Sequence, residues 1–239
     1  MPPDARDLLV CHLGRVPYAE ALAIQEVLRR RVQAGELGDL LLLLEHPQVY
    51  TRGRRSEAGD LPMGEDWYRA QGIVVVTTDR GGKLTYHGPG QLVGYPIVHV
   101  TDIPAYIGAM EEAIVTALAD EGIAARGRDR EGPTFTGVWV GERKIASIGV
   151  HVSRGVSMHG FAVNVDNDLQ PFEWVVACGL PTTRMTSVCA ETGSAGRLPC
   201  FRRRMAHAFC ETFGRRQRLV APPRLGIAPA PRAGLVATG

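Results

Sequence analysis

Cys178 is the residue whose setting best suits nucleophilic chemistry in this 239-residue chain. It precedes a glycine and a Leu-Pro pair in the run WVVACGLPTTRM, which indicates a loop or turn. Nucleophiles are often exposed in such loops, where backbone N–H groups can stabilise an oxyanion. The other cysteines, Cys11, Cys189, Cys200 and Cys210, lack this setting. Taken alone, a cysteine also fits a buried structural role.

The segment RGGKLTYHGPGQL, residues 80–92, is the second candidate for chemistry. It holds four glycines, a proline, two basic residues and His87, and glycine lets a ligand approach the main chain closely. An irregular structural loop is the alternative interpretation. A dinucleotide-binding glycine motif is excluded, because the glycine after Gly90 is Gly94 and the chain continues as a strand rather than a helix.

Two further segments carry ionisable side chains on apolar strands. Lys144 begins the run KIASIG just after a turn, and His159 begins HGFAVN. Individually, a lysine at a strand edge is usually a solvated charge, and a single histidine is usually a hydrogen-bonded structural residue.

Composition narrows the class of protein. The formal net charge of +2, from 27 basic and 25 acidic residues, is too balanced for a protein that coats nucleic acid. Of the basic residues only Lys83 and Lys144 are lysines. The longest leucine run, residues 40–44, is far shorter than the ~20 residues of a membrane helix, and we expect no secretory signal. Five cysteines without a CxxC pair favour a reducing cytoplasm and no metal site.

The elements that must position these residues follow from apolar spacing. Strands are predicted at residues 8–13, 39–45, 73–77 and 92–100, and helices at 17–33, after Asp102, and at 199–213. Three successive strands at 134–140, 143–153 and 156–165 predict an antiparallel meander. Residues 51–62 predict a surface loop. Strands and helices are mixed without strict alternation, so we expect an α+β (mixed α/β) single domain.

Domain boundaries follow from the composition near the C-terminus. We expect the domain to cover residues 1–219, followed by an Ala/Pro/Gly-rich, loosely ordered tail at 220–239.

In their order and in the identity of their residues, the four segments resemble those of the octanoyltransferase family of lipoate biosynthesis. Members carry an Arg-Gly-Gly segment running into Thr-Tyr-His-Gly-Pro-Gly-Gln-Leu, a Lys-Ile-Ala-Ser-Ile-Gly strand, His-Gly-Phe-Ala and a Cys-Gly turn. The chain matches them at residues 80–92, 144–149, 159–162 and 178–179. It departs from the pattern at Ala177, where proline is common, and at Val163, where leucine is common. The resemblance implies the catalytic fold of biotin and lipoate protein ligases, a mixed sheet flanked by helices.

The resemblance also implies an activity. Such enzymes move an octanoyl or lipoyl group from acyl carrier protein to one lysine of a lipoyl domain. Cys178 is then the nucleophile that forms a thioester acyl-enzyme. Lys144 favours the thiolate and shuttles protons, which arginine cannot do. His87 is expected to orient Cys178 or the carbonyl.

Substrate contacts are implied in three of the segments, with Ile148, Phe161 and Val163 as candidates to line an acyl tunnel. The implied residues are Arg80, Gly81, Gly82, Lys83, Leu84, Thr85, Tyr86, His87, Ser147, Ile148, Gly149, Gly160, Phe161 and Ala162.

The implied partners are octanoyl-acyl carrier protein, the lipoyl domains of 2-oxoacid dehydrogenase E2 subunits, and the glycine cleavage H protein. We expect no nucleic acid, no membrane and no cofactor of its own, because the carrier brings the phosphopantetheine. Exposed arginines at 52, 54, 55 and 202–204 are candidates to steer acidic partners. Two alternatives remain: an ATP-dependent lipoate or octanoate protein ligase, which needs no cysteine nucleophile, and an inert acyl-binding module.

Overall fold

The unbroken leucine run forms a strand, Leu40–Glu45, that is buried near the middle of a large mixed sheet. A computed structural model describes residues 4, 6–176 and 183–228 of the chain. Within these residues the large sheet has nine strands. They are β1 (Asp7–Arg15), β2 (Leu40–Glu45), β6 (Gln91–Ile97), β7 (Arg126–Gly127), β8 (Gly137–Val140), β9 (Arg143–Ser153), β10 (Val156–Asn164), β11 (Arg184–Met185) and β12 (Arg216–Leu219).

Strand order is β12-β1-β2-β6-β10-β9-β8-β7, with β11 beside β9. The pairs β1–β12, β1–β2 and β9–β11 are parallel, and the other neighbours are antiparallel. The three predicted meander strands are therefore confirmed as β8, β9 and β10. Turns at Gly141 and at Gly155, both with positive φ, join them. A second, three-stranded sheet consists of β3 (Val49–Arg52), β4 (Val74–Thr77) and β5 (Leu84–His87).

Helices cover both faces of the large sheet. The helices of the described residues are α1 (Tyr18–Gln33), α2 (Glu65–Ala70), α3 (Ile103–Ala119), α4 (Gln170–Glu173), α5 (Val188–Thr192) and α6 (Leu198–Thr212), of which α2 and α4 pack against the smaller sheet. On one face α3 and α6 pack against residues such as Phe161 and Val163. On the other, α1 packs against Leu42 and Val93. Asp102 caps α3 as expected, because its side chain accepts a hydrogen bond from the Ala105 backbone N–H. The expected mixed α/β single domain is confirmed.

Two segments differ from the sequence-based expectation. Residues 51 and 52 form the end of strand β3 and do not begin a surface loop. Thr51 is fully buried, and the side chain of Arg80 donates a hydrogen bond to its hydroxyl. At the other end, the chain stays packed beyond Leu219. Leu225 is buried against the α1 side of the sheet, and Arg31 donates to its carbonyl oxygen at 2.7 Å. Ordered packing therefore continues into the segment expected to be a loose tail, as far as residue 228.

No helix within the described ranges has the length and apolarity needed to cross a bilayer.

Candidate active site

A cavity of about 290 Å³ lies where the loop at residues 80–83 covers the second half of β9. The loop is fixed there because the Gly81 backbone N–H donates to the Val150 carbonyl at 2.9 Å. Apolar side chains of α3, β9 and β10, including Ile107, Ile148 and Phe161, form part of its lining. This volume is close to the lower end of the ~300–1,000 Å³ typical of small-molecule pockets.

Nearly all the substrate-binding residues inferred from the sequence line this cavity. They are Arg80, Gly81, Gly82, Lys83, Leu84, Thr85, His87, Ser147, Ile148, Gly149, Gly160, Phe161 and Ala162, and Lys144 lines it as well. Tyr86 does not. Its ring packs against Tyr50 and Phe172, with centroids 5.5 and 5.3 Å away, because successive side chains of a strand point to opposite sides.

Gly149 allows the covering loop to lie directly on the strand. A Cβ atom at this position would stand 2.9 Å from the Gly81 carbonyl oxygen and 3.4 Å from Cδ of Arg80. Any side chain would therefore push the loop outward and change the cavity. A glycine here follows from the close approach of two backbone segments.

Arg80 anchors the same loop to the smaller sheet. Its Nε donates to the Thr51 hydroxyl at 3.1 Å, and its Nη2 donates to the Thr51 carbonyl at 2.5 Å. Nη1 donates to the carbonyl of Gly81 at 3.0 Å. Because the side chain is buried and holds backbone atoms, it shapes the cavity wall in addition to lining the cavity.

Lys144 is buried at the cavity wall, with 2% of its surface exposed. Its Nζ lies 5.3 Å from the centroid of the Trp139 ring, a distance at which an ammonium interacts favourably with an aromatic face. Its side chain also rests on the backbone of Gly137. Its carbonyl accepts from the Thr186 N–H at 3.0 Å, and its backbone pairs with Met185. The lysine is thus held by the sheet rather than solvated at a strand edge.

Four aromatic and histidine rings form a cluster on the side of the cavity near α1. His87 stacks on Tyr18 at 6.1 Å and meets His46 edge-on at 5.5 Å. Nδ1 of His46 lies 2.7 Å from the Val16 carbonyl, so this nitrogen carries the proton. Nε2 of His46 therefore accepts from the Tyr95 hydroxyl, also at 2.7 Å.

His87 is held in one tautomer by Gln91. The Gln91 amide nitrogen donates to the Tyr86 carbonyl and to Oδ1 of Asn164, which leaves its oxygen to accept from His87 Nδ1 at 2.8 Å. Nε2 of His87 is consequently an acceptor. Burial lowers the pKa of His87 well below its usual value, and the nearby His46 adds to that shift. His87 is therefore a neutral imidazole at physiological pH.

Asp79 links His159 of the HGFA segment to His151. Its carboxylate accepts from Nε2 of His159 at 2.7 Å and from Nδ1 of His151. Burial alone would raise the pKa of Asp79, but the hydrogen bonds from the two histidines lower it below the usual value. Burial lowers the pKa of His159 despite this carboxylate. The backbone of His159 has a φ of 58°, a strained conformation for a residue other than glycine.

Cys178, the nucleophile inferred from the sequence, lies outside the described residues. The last described residue before it is Val176, whose N–H donates to the Asp60 carbonyl at 3.1 Å. Where the description resumes, Arg184 and Met185 pair with Arg143 and Lys144. In the part of the chain that the structure describes, no three His, Cys, Asp or Glu side chains are grouped so as to hold a metal ion.

Several residues of the site were not identified from the sequence. Tyr18 and Tyr95 line the cavity, but each lies in an apolar segment, where a tyrosine is expected to be part of the core. His46 and Asp79 follow strands without any motif of their own. Only their contacts with His87 and His159, far away in the sequence, identify them.

Comparisons with known proteins show the family to which the chain belongs. The chain matches the family described as lipoyl protein ligase A/B catalytic domain over residues 17–210. It is 51% identical over 189 residues to an octanoyltransferase of Solibacter usitatus, covering 77% of this chain and 84% of that protein. It is 44% identical over 205 residues to an octanoyltransferase of Rubrobacter xylanophilus, covering 84% and 91%.

Among solved structures, a lipoate-protein ligase A bound with ATP is similar with a TM-score of 0.74 and 22% identity, covering 90% of this chain and 88% of that one. A bipartite lipoate protein ligase from Thermoplasma acidophilum has a TM-score of 0.71 at 19% identity, covering 91% and 88%. At these identities the two structures establish the fold alone.

Replacing His46 with glutamine is predicted to weaken the pH dependence of stability. Burial lowers the pKa of His46 to about 4, so between about pH 6.5 and 4 the unfolded chain binds a proton that the folded protein does not. The neutral His46 side chain therefore makes its full contribution to stability above about pH 6.5, and this contribution is lost as the pH falls towards 4. From pH 7 to 5, we expect the wild-type free energy of unfolding to fall about 2 kcal/mol more than that of His46→Gln.

Urea unfolding at the two pH values measures this difference. His207→Gln, at an exposed position of α6, is the control and should behave as the wild type. Equal losses in wild type and His46→Gln would show that His46 does not titrate in this way.

Proposed function

Because the chain belongs to the lipoyl protein ligase A/B catalytic domain family and is an octanoyltransferase, an acyltransferase of lipoate biosynthesis, we propose that Cys178 and Lys144 carry out its reaction. The octanoyl group is taken from the thioester of acyl carrier protein and delivered to a lysine amine of a lipoyl domain. The observation that carries this proposal is the buried Lys144 at the wall of a partly apolar cavity.

The path of the chain supports the pairing of the two residues. Cys178 is a few positions before Met185, which is paired with Lys144 in the sheet. Thr186 is hydrogen-bonded to the Lys144 carbonyl at 3.0 Å. The chain that resumes a few positions after the cysteine therefore lies directly beside the lysine. A buried ammonium also needs an electrostatic partner, and a thiolate supplies one.

In the first step, Lys144 in its amine form takes the thiol proton, which leaves an ammonium beside a thiolate, and the Cys178 sulfur attacks the thioester carbonyl. The bond from carbon to the Cys178 sulfur forms and the bond to the carrier's sulfur breaks. Lys144 returns the proton to the departing carrier thiol. One thioester replaces another, so no ATP is consumed.

In the second step, the lysine amine of the lipoyl domain attacks the acyl-enzyme. The carbon–nitrogen bond forms, the bond to the Cys178 sulfur breaks, and the amine proton passes through Lys144 to the cysteine. The products are an amide and the free enzyme. An arginine at position 144 would keep the charge but could not exchange the proton.

The cavity can hold the acyl chain, and the neutral side chain of His87 can accept a hydrogen bond within it. Ile107, Ile148 and Phe161 offer apolar contacts for an eight-carbon chain. His87, fixed with an acceptor at Nε2, would orient the thiol or the incoming amine by accepting a hydrogen bond from it. The enzyme needs no cofactor of its own, since the carrier brings the phosphopantetheine.

Partner proteins would meet a basic surface beside the cavity. Arg54 and Arg55 are exposed, and their backbone N–H groups are bonded to the cavity loop at Arg80 and Gly82. The neighbouring Arg52 and Lys83 are paired with glutamates. Within the described residues neither Arg54 nor Arg55 has a carboxylate at ion-pair distance, so both charges remain available to an acidic carrier protein or lipoyl domain. The lipoyl domains of 2-oxoacid dehydrogenase E2 subunits and the glycine cleavage H protein are the acceptors of this kind.

Octanoyl-acyl carrier protein without ATP is predicted to leave an octanoyl group on Cys178. Intact mass spectrometry should show one hydroxylamine-labile adduct, absent from Cys178→Ser and present in Cys200→Ser, an exposed cysteine of α6. Lys144→Arg should slow adduct formation about 10²-fold or more, because proton transfer is lost. Near-normal turnover of Lys144→Arg would rule out proton transfer by this residue.

The same experiment tests the alternative function. The fold is shared with a lipoate-protein ligase that was solved with ATP bound. If no adduct forms from the carrier and a lipoyl domain is modified only when octanoate and ATP are added, the protein acts as a ligase and the proposed transfer is contradicted.

Reversing the charge of Arg54 tests partner steering. Arg54→Glu is predicted to raise KM for octanoyl-acyl carrier protein about tenfold at low salt, and to weaken its salt dependence. KM for octanoyl-pantetheine, which lacks the carrier protein, should not change. Arg224→Glu, at an exposed position beyond the cavity lining, is the charge-matched control. Equal KM values for Arg54→Glu and Arg224→Glu would contradict steering by Arg54.

A further inference from the structure

We propose that Glu111 of α3 is a positioning residue that fixes the wall on which the Lys144 ammonium rests. It does so through two backbone hydrogen bonds that hold the segment between Asp129 and Gly137. This inference rests on the proposed role of Lys144.

Glu111 is a buried acid on an otherwise apolar helix face. Its side chain is 3% exposed, and its neighbours on the inner side of α3 include Met110, Ile114 and Leu118. Oε1 accepts from the Gly137 N–H at 2.6 Å, and Oε2 accepts from the Asp129 N–H at 3.2 Å. Burying a carboxylate is costly, so packing alone would favour an apolar residue here. The two hydrogen bonds indicate a more specific role.

Gly137 transmits this constraint to Lys144. A Cβ on Gly137 would stand 2.7 Å from Lys144 Cε and 3.3 Å from Nζ, and 2.4 Å from the Ala146 carbonyl oxygen. Its φ of 129° is also a conformation that favours glycine. The backbone of Gly137 is therefore the surface on which the end of the lysine side chain lies. Glu111 holds the N–H group of that same residue.

The second contact of the lysine side chain is the Trp139 ring, which is held by residues of, and next to, the same segment. The Arg128 guanidinium stacks on the Trp139 ring at 4.7 Å, and Trp139 Nε1 donates to the Phe135 carbonyl at 2.9 Å. The Lys144 ammonium is a further neighbour of Trp139, 5.3 Å from the ring centroid. Because Glu111 ties down both Asp129 and Gly137, a single carboxyl group fixes one contact of the lysine directly, at Gly137, and supports the other through Phe135, whose carbonyl holds Trp139.

Glu111→Gln keeps the shape of the side chain but replaces one acceptor oxygen with an N–H₂ group. One of the two backbone N–H groups then faces a donor and loses its bond. We expect kcat for octanoyl transfer, and the single-turnover rate of Cys178 acylation, to fall about ten- to a hundredfold. KM for octanoyl-acyl carrier protein should change less than kcat. Although Pro133, Thr134 and Thr136 of the same segment line the cavity, its opposite wall is held by Arg80 on Thr51, which Glu111 does not touch. Glu112→Gln, the adjacent exposed residue, should behave as the wild type.

Rates are normalised to the fraction of folded molecules, taken from the amplitude of the cooperative urea-unfolding transition, so that misfolded protein does not count. If Glu111→Gln does not accumulate as folded protein, Glu111→Asp provides the same test, because a carboxylate one methylene shorter cannot reach both backbone N–H groups. A larger loss in kcat than in KM is again expected.

A kcat within twofold of the Glu112→Gln value, or a loss confined to KM, would overturn the proposal. A wild-type enzyme that forms no Cys178 adduct would instead refute the proposed function itself, so the two failures are distinguishable.

Discussion

A buried ammonium group needs stabilising contacts, and the site is built around those of Lys144. Its side chain lies between the Trp139 ring and the Gly137 backbone, while its own backbone is bonded to Met185 and Thr186. Strands β8, β9 and β11 must therefore keep their register for the ammonium to stay in place. A lysine solvated at a sheet edge would need none of this, which is why its burial is the strongest indication of a chemical role.

The cavity beside the lysine depends on a second set of close contacts. The 80–83 loop lies on β9 because Gly149 has no side chain and because Arg80 holds the loop to Thr51. The smaller sheet thus acts as the support for one wall, and the large sheet for the other. Neutral His87, held by Gln91, adds a hydrogen-bond acceptor to the cavity without adding a positive charge. An apolar chain and a proton-transfer group can then share one small volume.

Local sequence patterns were sufficient to predict the strands and helices in which those patterns occur. The leucine run, the meander of β8, β9 and β10, and the Asp102 cap follow from apolar spacing and turn residues. Contacts between distant residues were not predictable in this way. Burial of Thr51 comes from Arg80, and the role of Glu111 becomes visible only through Gly137, 26 positions away. The four motifs located the cavity, but they did not indicate that Tyr86 faces away from it, that Tyr95 lines it or that His46 packs against His87.

The most direct test of the account measures the pKa of the Cys178 thiol. The pH dependence of its alkylation by iodoacetamide, followed by peptide mass spectrometry, should give an apparent pKa below the ~8.5 of a free cysteine in the wild type. In Lys144→Met, where the ammonium is lost but the side chain still fills the space between Trp139 and Gly137, we expect it to rise to ~8.5 or above. An apparent pKa that is the same in both proteins would contradict the central claim that the buried lysine activates the cysteine.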